Sequence, residues 1–381
     1  MALVRGWGGK CSTRGIPSAG QLTQSRPDRL NEKSCVCALH LLHFARLSRY
    51  RTALWYLAHT FAVPFTGRTM ELRLIEAASE IGAGKRGASM GMAALRVAAW
   101  KNGSELFGHA EESILRDEND VLYEDDRSPN AHHIDGLIRF ESDLAFEVYK
   151  YVRNNVFPIV VGGDHSIAIG SVSGTKMAFP NERLGVVWID AHADLHSPWT
   201  TPSGNVHGMP LALLMHIEKK GRNRPRVYTM DTWDHLRKIG VNGPKLLPSD
   251  LVFIALRDYE PEEEAIIKEH GIKVITVADL RQKGAEAVVN ETLAHLSLCG
   301  RIHVSFDVDS LDPTISVGTG TPVPDGLFGE EASALLQGFC RDPKTATLDV
   351  VEINPSLDTN NAMAEATLKI LEPLFPILRS R

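Results

Sequence analysis

From Met70 onward, apolar positions fall into short, nearly unbroken runs, separated by longer stretches in which they recur every three or four residues. The runs at 71–76, 157–161, 184–190, 251–256, 273–277, 301–309 and 347–353 are rich in Val, Ile and Leu and predict strands. Several are apolar nearly throughout, the pattern of a strand covered by helices on both faces. Strands alternating with helical stretches predict an α/β fold, a three-layer α/β/α sandwich with a mainly parallel sheet. The acidic stretch EESILRDENDVLYEDDR at 111–127 contains no such run and is expected to be a solvated face or loop. The chain shows no internal repeat and no low-complexity tract.

Residues 1–69 depart from this pattern: Arg and Ser are frequent, the only acids are Asp28 and Glu32, and no period persists. They are expected to be an extension, with residues 70–381 forming the folded domain. An Arg-rich, acid-poor extension reads as a mitochondrial-type targeting peptide, a docking arm, or more plainly a leader without structure upstream of a start at Met70. The net charge of −6 and a pI near 6.2 give no basic footprint, which argues against nucleic acid as a partner and for a small-molecule substrate. Cys11, Cys35, Cys37, Cys299 and Cys340 are scattered in a way that suits neither a disulfide framework nor a zinc knuckle. Reduced thiols fit a cytoplasmic setting, or a mitochondrial one if the extension is a genuine transit peptide. The apolar stretch at 52–65 is too short for a membrane helix, so no membrane span is expected.

In parallel sheets, ligands bind beyond the carboxyl ends of strands, so polar residues that close an apolar run are the ones to inspect. Three such places stand out: Gly162-Gly163-Asp164-His165-Ser166, Asp190-Ala191-His192-Ala193-Asp194, and Asp307-Val308-Asp309. The paired glycines are expected to allow a tight turn that aims His165 over the sheet edge. In an extended chain, residues two apart point the same way, so Asp190, His192 and Asp194 are expected to converge, and likewise Asp307 and Asp309. Four carboxylates and two imidazoles in one crevice repel one another unless cations are bound. Six ligands suffice for two ions about 3.5–4 Å apart if two carboxylates bridge them, an arrangement used for metal-assisted hydrolysis. Oxygen-rich, sulfur-free ligation favours manganese, with iron, cobalt or nickel as alternatives. A lone Asp-x-Asp or a lone His is usually a cap or a turn; three such segments, each closing an apolar run, carry the metal reading.

The motifs GGDHS at 162–166, DAHAD at 190–194, SFDVDSLDP at 305–313 and GTGTP at 318–322 resemble the arginase and agmatinase group of ureohydrolases, which also takes in formimidoylglutamase. The resemblance spans the chain from Met70 to its end. It implies two Mn2+ per subunit, one held by His165, Asp190, Asp194 and Asp307 and the other by Asp190, His192, Asp307 and Asp309, with Asp190 and Asp307 bridging. It further implies that a metal-bridging hydroxide cleaves the guanidinium of L-arginine to L-ornithine and urea. By the same resemblance Glu352, in VVEINPSLD, binds the guanidinium, Asp194 relays a proton, and His207 exchanges it with solvent. A homotrimer or homohexamer is implied too, although the chain ends soon after the helix that follows Glu352, so contacts through a C-terminal tail cannot be assumed.

These motifs name a reaction class, and the substrate must be read elsewhere. The loop HSPWTTPSGNVHGMP at 196–210 resembles the arginase segment that contacts the amino acid's carboxylate and amine, and offers Thr201, Ser203 and Asn205 as donors. Buried donors left unpaired discriminate strongly against a substrate lacking the group they serve, which would disfavour agmatine. Hydroxyl-rich loops also serve simply as turns. Two positions depart from the better-known arginase pattern: His196 stands where that pattern has Asn, and Glu260 where it has Asp for the substrate amine. Thr321 fits the position beneath the guanidinium, or a turn in GTGTP. The alternatives are a sister hydrolase acting on agmatine, another guanidino acid or a formimino compound, and a non-catalytic metal-binding scaffold with the same fold.

Overall fold

The computed structural model describes residues 69–381, and the apolar runs form strands there. In chain order these are β1 (Glu71–Ala77), β2 (Glu111–Ile114), β3 (Val156–Gly162), β4 (Leu184–Ile189), β5 (Leu251–Ile254), β6 (Lys273–Ile275), β7 (Arg301–Asp307) and β8 (Thr345–Val351). All neighbours pair in parallel, in the order β2-β1-β3-β8-β7-β4-β5-β6. Every residue of β4 and β5 is buried, as their uninterrupted apolar sequences require.

The segment 111–127 is solvated as expected, but its first residues form the strand β2 rather than a loop. This strand lies at the sheet's edge, pairs only with β1, and has no fully buried residue, so it carries no apolar signal. Its acids face cations, with Glu111 paired to Arg73 and Glu112 to Arg96. Charged side chains on an edge strand also discourage pairing with another sheet.

Eleven α-helices are found among the described residues: α1 (Gly91–Asn102), α2 (Ile134–Arg153), α3 (Ala168–Ala178), α4 (Pro210–Met215), α5 (Val227–Leu236), α6 (Pro261–His270), α7 (Val277–Lys283), α8 (Ala285–His295), α9 (Gly329–Arg341), α10 (Ala362–Leu371) and α11 (Leu374–Arg379). One face of the sheet packs against α1 and α7–α11, and the other against α2–α6, which gives the expected three layers. The helix α2 shows the usual logic of a covering helix: Leu137, Phe140, Leu144, Val148 and Val152 recur every three or four residues and are buried. The helix α3 is buried nearly all round because it is wedged between α2, α4 and the sheet. None of the described helices is long and apolar enough to cross a membrane. The extension, the run at 52–65 and three of the five cysteines lie outside the described residues. The other two, Cys299 and Cys340, are buried free thiols.

The strand order sets the site. The chain builds β1 to β3 on one side and β4 to β6 on the other, and β7 and β8 then fill the gap. The register pairs Ile189 with Phe306, Asp307 with Val351 and Val161 with Val350. Asp190, Asp307, Glu352 and the turn at Gly163 therefore arrive at one level, at the carboxyl ends of the four central strands.

Candidate metal centre and substrate cleft

His165 is fixed on every side before any ligand is considered. Its ring stacks on Trp188, with centroids 3.9 Å apart and planes 4° from parallel. Nε2 meets the Ser305 hydroxyl at 2.8 Å. Nδ1 then faces three carboxylate oxygens, Oδ2 of Asp190 at 3.0 Å, of Asp307 at 3.1 Å and of Asp194 at 3.2 Å. Both His165 Nδ1 and Asp190 Oδ2 are buried, yet neither makes a hydrogen bond of acceptable geometry. Ligand atoms about 3 Å apart match the edges of a coordination shell with bonds of roughly 2.1 Å, and an imidazole held through its other nitrogen is how metal-binding histidines are oriented. The donor set fits a divalent cation.

A second group adjoins the first. His192 Nδ1 lies 2.9 Å from Asp309 Oδ2 and 3.5 Å from Asp190 Oδ1. Asp190 thus offers one oxygen to each imidazole. Asp307 meets the first group through Oδ2, while its Oδ1 accepts the backbone N–H of Asp309 at 2.7 Å. The expected convergence of Asp190, His192 and Asp194 on one point does not occur. The strand has ended at Ile189, and Asp194 has a left-handed backbone (φ 49°), so the two-residue alternation fails there. His192 goes to one group and Asp194 to the other, with Asp190 between them.

The paired glycines also work differently from expectation. Gly163 does not need a positive φ; a Cβ there would lie 1.5 Å from the Ser79 carbonyl oxygen, so the residue is small because another backbone passes through that space. Glu352 does adopt a left-handed backbone (φ 64°), as does Ala255 (φ 70°) just past β5. Such strain at strand ends is tolerated where surrounding bonds fix it, here Glu352 N–H to Gly163 O at 2.8 Å and Ala255 N–H to Ile275 O at 2.9 Å.

A cleft of about 120 Å³ opens over this centre, and every residue singled out from sequence lines it except Asp190, which is buried beneath. Glu352 Oε1 accepts from the backbone N–H of His165 at 3.0 Å and lies 2.9 Å from His207 Nδ1. Thr321 donates to Asp309 Oδ2 at 3.1 Å. The hydroxyls of Thr201 and Ser203 accept from the N–H groups of Gly204 and Asn205, as turn residues do, which leaves each O–H free to donate. Asn205 sits beside Gly84. His196 Nε2 meets Glu260 Oε2 at 2.9 Å, and Glu263, which sequence reasoning missed, lies 3.6 Å from the same nitrogen.

A family model described as the Arginase family matches residues 71–375. The chain belongs to the arginase family. The arginase of Bacillus subtilis (strain 168) is 33% identical over 301 residues, 78% of this chain and 94% of that protein. The arginase of Staphylococcus aureus (strain MRSA252) is 37% identical over 243 residues, 63% of this chain and 74% of that protein. Among solved structures, the Entamoeba histolytica arginase in complex with L-ornithine aligns with a TM-score of 0.69 at 27% identity, covering 81% of this chain and 99% of that one. The protein is accordingly an arginase-type hydrolase, and its central sheet is that of the family.

The electrostatics suit an arginase-family centre. Burial, together with neighbouring carboxylates, pushes Asp307 and Asp309 up, and burial with the charge of Asp190 takes Asp194 to about 6. Burial opposes a charge on Asp190 as well, but its close contacts with the imidazoles of His165 and His192 win and hold it low. A bound cation reverses this competition by favouring every carboxylate in its charged form. Burial also disfavours a charged His207, but bonding to Glu352 outweighs it and raises the imidazole to about 9, while Glu352 is lowered.

Proposed function

We propose that this chain hydrolyses the guanidinium of L-arginine to L-ornithine and urea with two manganese ions. His165, Asp190, Asp194 and Asp307 would hold one ion, and Asp190, His192, Asp307 and Asp309 the other. The observation that carries the reading is the division of Asp190 between the two imidazoles, together with the buried, unpartnered His165 Nδ1. When bound, paired divalent cations supply a water activated for attack near neutral pH.

The remaining work falls to the chain's own groups. Guanidinium is resonance-stabilised, so it has to be oriented before it reacts. Glu352 suits that role, because its Oε1 is committed to His165 N–H and His207, which leaves Oε2 for the substrate's N–H groups. Asp194, beside His165 and lining the cleft, relays the proton released on attack to the departing amine. His207, bonded to Glu352 and lining the cleft, exchanges that proton with solvent. Thr201, Ser203 and Asn205 receive the substrate's carboxylate through donors, and Glu260 receives its α-ammonium; Thr321 braces Asp309 below the guanidinium. A homotrimer or homohexamer belongs to the same reading, and sedimentation measures it.

Urea release from L-arginine and from agmatine, with and without manganese, tests the proposal. Turnover of arginine that depends on the metal, at two ions per chain by elemental analysis, is the expected result. Turnover of agmatine alone would move the protein to the sister activity. Absence of turnover at every metal loading would leave a scaffold.

A further inference from the structure

The two positions at which this chain departs from the better-known arginase pattern touch each other. His196 and Glu260 are 64 residues apart, yet Nε2 of one lies 2.9 Å from Oε2 of the other. The contact is built in. Glu263 brings its two segments together, with Oε1 accepting from Leu195 N–H at 2.9 Å and Oε2 from Glu260 N–H at 3.0 Å. The backbone of His196 is held to Gly208 O at 3.0 Å, and its Nδ1 meets the Thr200 hydroxyl at 3.2 Å. A nitrogen facing a carboxylate is a donor, and the Thr200 hydroxyl can serve the other nitrogen, so the ring satisfies both neighbours.

We propose that His196 is a positioning residue for substrate choice: it holds one oxygen of Glu260, so that residues 196 and 260 act as a single unit selecting guanidino substrates that carry a free α-ammonium. The inference rests on the arginine reading above. Glu has one more rotatable bond than Asp, and its side chain here is 46% exposed whereas that of His196 is 8% exposed. A half-exposed carboxylate on a longer stem would have to be ordered by the ligand, which weakens binding. Bonding to a buried imidazole orders it in advance where Glu260 lines the cleft. An amide at position 196 ends short of the point where the imidazole nitrogen meets Glu260, and an Asp at 260 withdraws from His196; the two residue types therefore suit each other as a pair.

The pair is tested by a double-mutant cycle of His196→Asn, Glu260→Asp and both together, on manganese-loaded enzyme, with L-arginine and Nα-acetyl-L-arginine as probes. Each single change raises KM for L-arginine about tenfold with a much smaller change in kcat, and the double variant recovers to within about threefold of the parent. For Nα-acetyl-L-arginine, which lacks the ammonium, the variants do not separate from the parent. If His196→Asn does not fold, His196→Gln takes its place in the cycle. Losses that multiply in the double variant, equal losses on the acetylated probe, or metal content that falls with the change at 196 overturn the pairing and leave arginine hydrolysis standing. Failure of the functional reading looks different, because it is seen in the parent as turnover of agmatine without arginine. If the parent turns over neither, the cycle is read in the Kd for L-ornithine by calorimetry, and absence of ornithine binding overturns both.

Discussion

Ser305 shows how much a centre of this kind depends on side chains that hold no ion themselves. Its hydroxyl fixes His165 Nε2 and so directs Nδ1 at three carboxylates. Ser305→Ala is expected to weaken manganese binding by roughly 10- to 100-fold with the fold intact, measured by competition with a chelating dye alongside far-ultraviolet circular dichroism. A second expectation concerns His207. Its imidazole titrates at about 9 because Glu352 outweighs burial, so Glu352→Gln drops the value towards or below about 6.5, that of a free imidazole, as followed by NMR on the metal-free protein. Because the folded value lies above the unfolded one, the stabilisation from this contact is fully present below about pH 6.5 and is lost as pH rises through about 9. The residues that gather at this centre were legible from sequence because their segments close apolar runs. Glu263, Ser305 and the meeting of His196 with Glu260 were not, because they depend on which segments the register brings together, and a lone Glu or Ser in sequence carries no mark of that.

At the level of elements, the strand ends are where periodicity stops giving reliable directions. Unbroken apolar runs located β3, β4, β7 and β8, but two-residue alternation failed in the segment beyond β4, where Asp194, five residues past its end, turns left-handed and His192 faces another group. It was also silent at β2, whose pairing with β1 involves no apolar face. Gly163 belongs to this scale, because its space is taken by the backbone of the segment following β1. Gly163→Ala forces that backbone to move and is expected to cost about 3 kcal/mol, read from the midpoint and slope of urea unfolding. An unchanged midpoint would mean that the two segments separate easily, and the packing account of the glycine would be wrong.

For the molecule as a whole, the ions and the fold are thermodynamically linked, since ligands that bind only the folded chain stabilise it by mass action. Chelation is expected to lower the apparent unfolding temperature by roughly 8–10 °C, and manganese to restore it. Without metal, Asp194 has a folded pKa of about 6, above the usual carboxylate value, so the folded chain binds this proton more tightly than the unfolded one. Through Asp194 the chelated protein therefore gains stability as pH falls from neutrality through about 6, a gain the loaded protein lacks. Calorimetry of both forms across that range checks the sign. The three-layer architecture was legible in the alternation of runs, but the strand order was not, because nothing in the runs says that the last two strands take the middle places.

That order also dictates when the centre can exist during synthesis. A chain still attached to the ribosome after β6 has made His165, Asp190, His192 and Asp194, yet β8 and β7, which lie between β3 and β4 in the finished sheet, are still to come. Asp307, Asp309 and Glu352 arrive with the final third of the polypeptide, and only their insertion into the open seam draws the earlier ligands into register. A nascent enzyme truncated before residue 300 should neither capture manganese tightly nor mature its active site, whatever the helices around it have achieved.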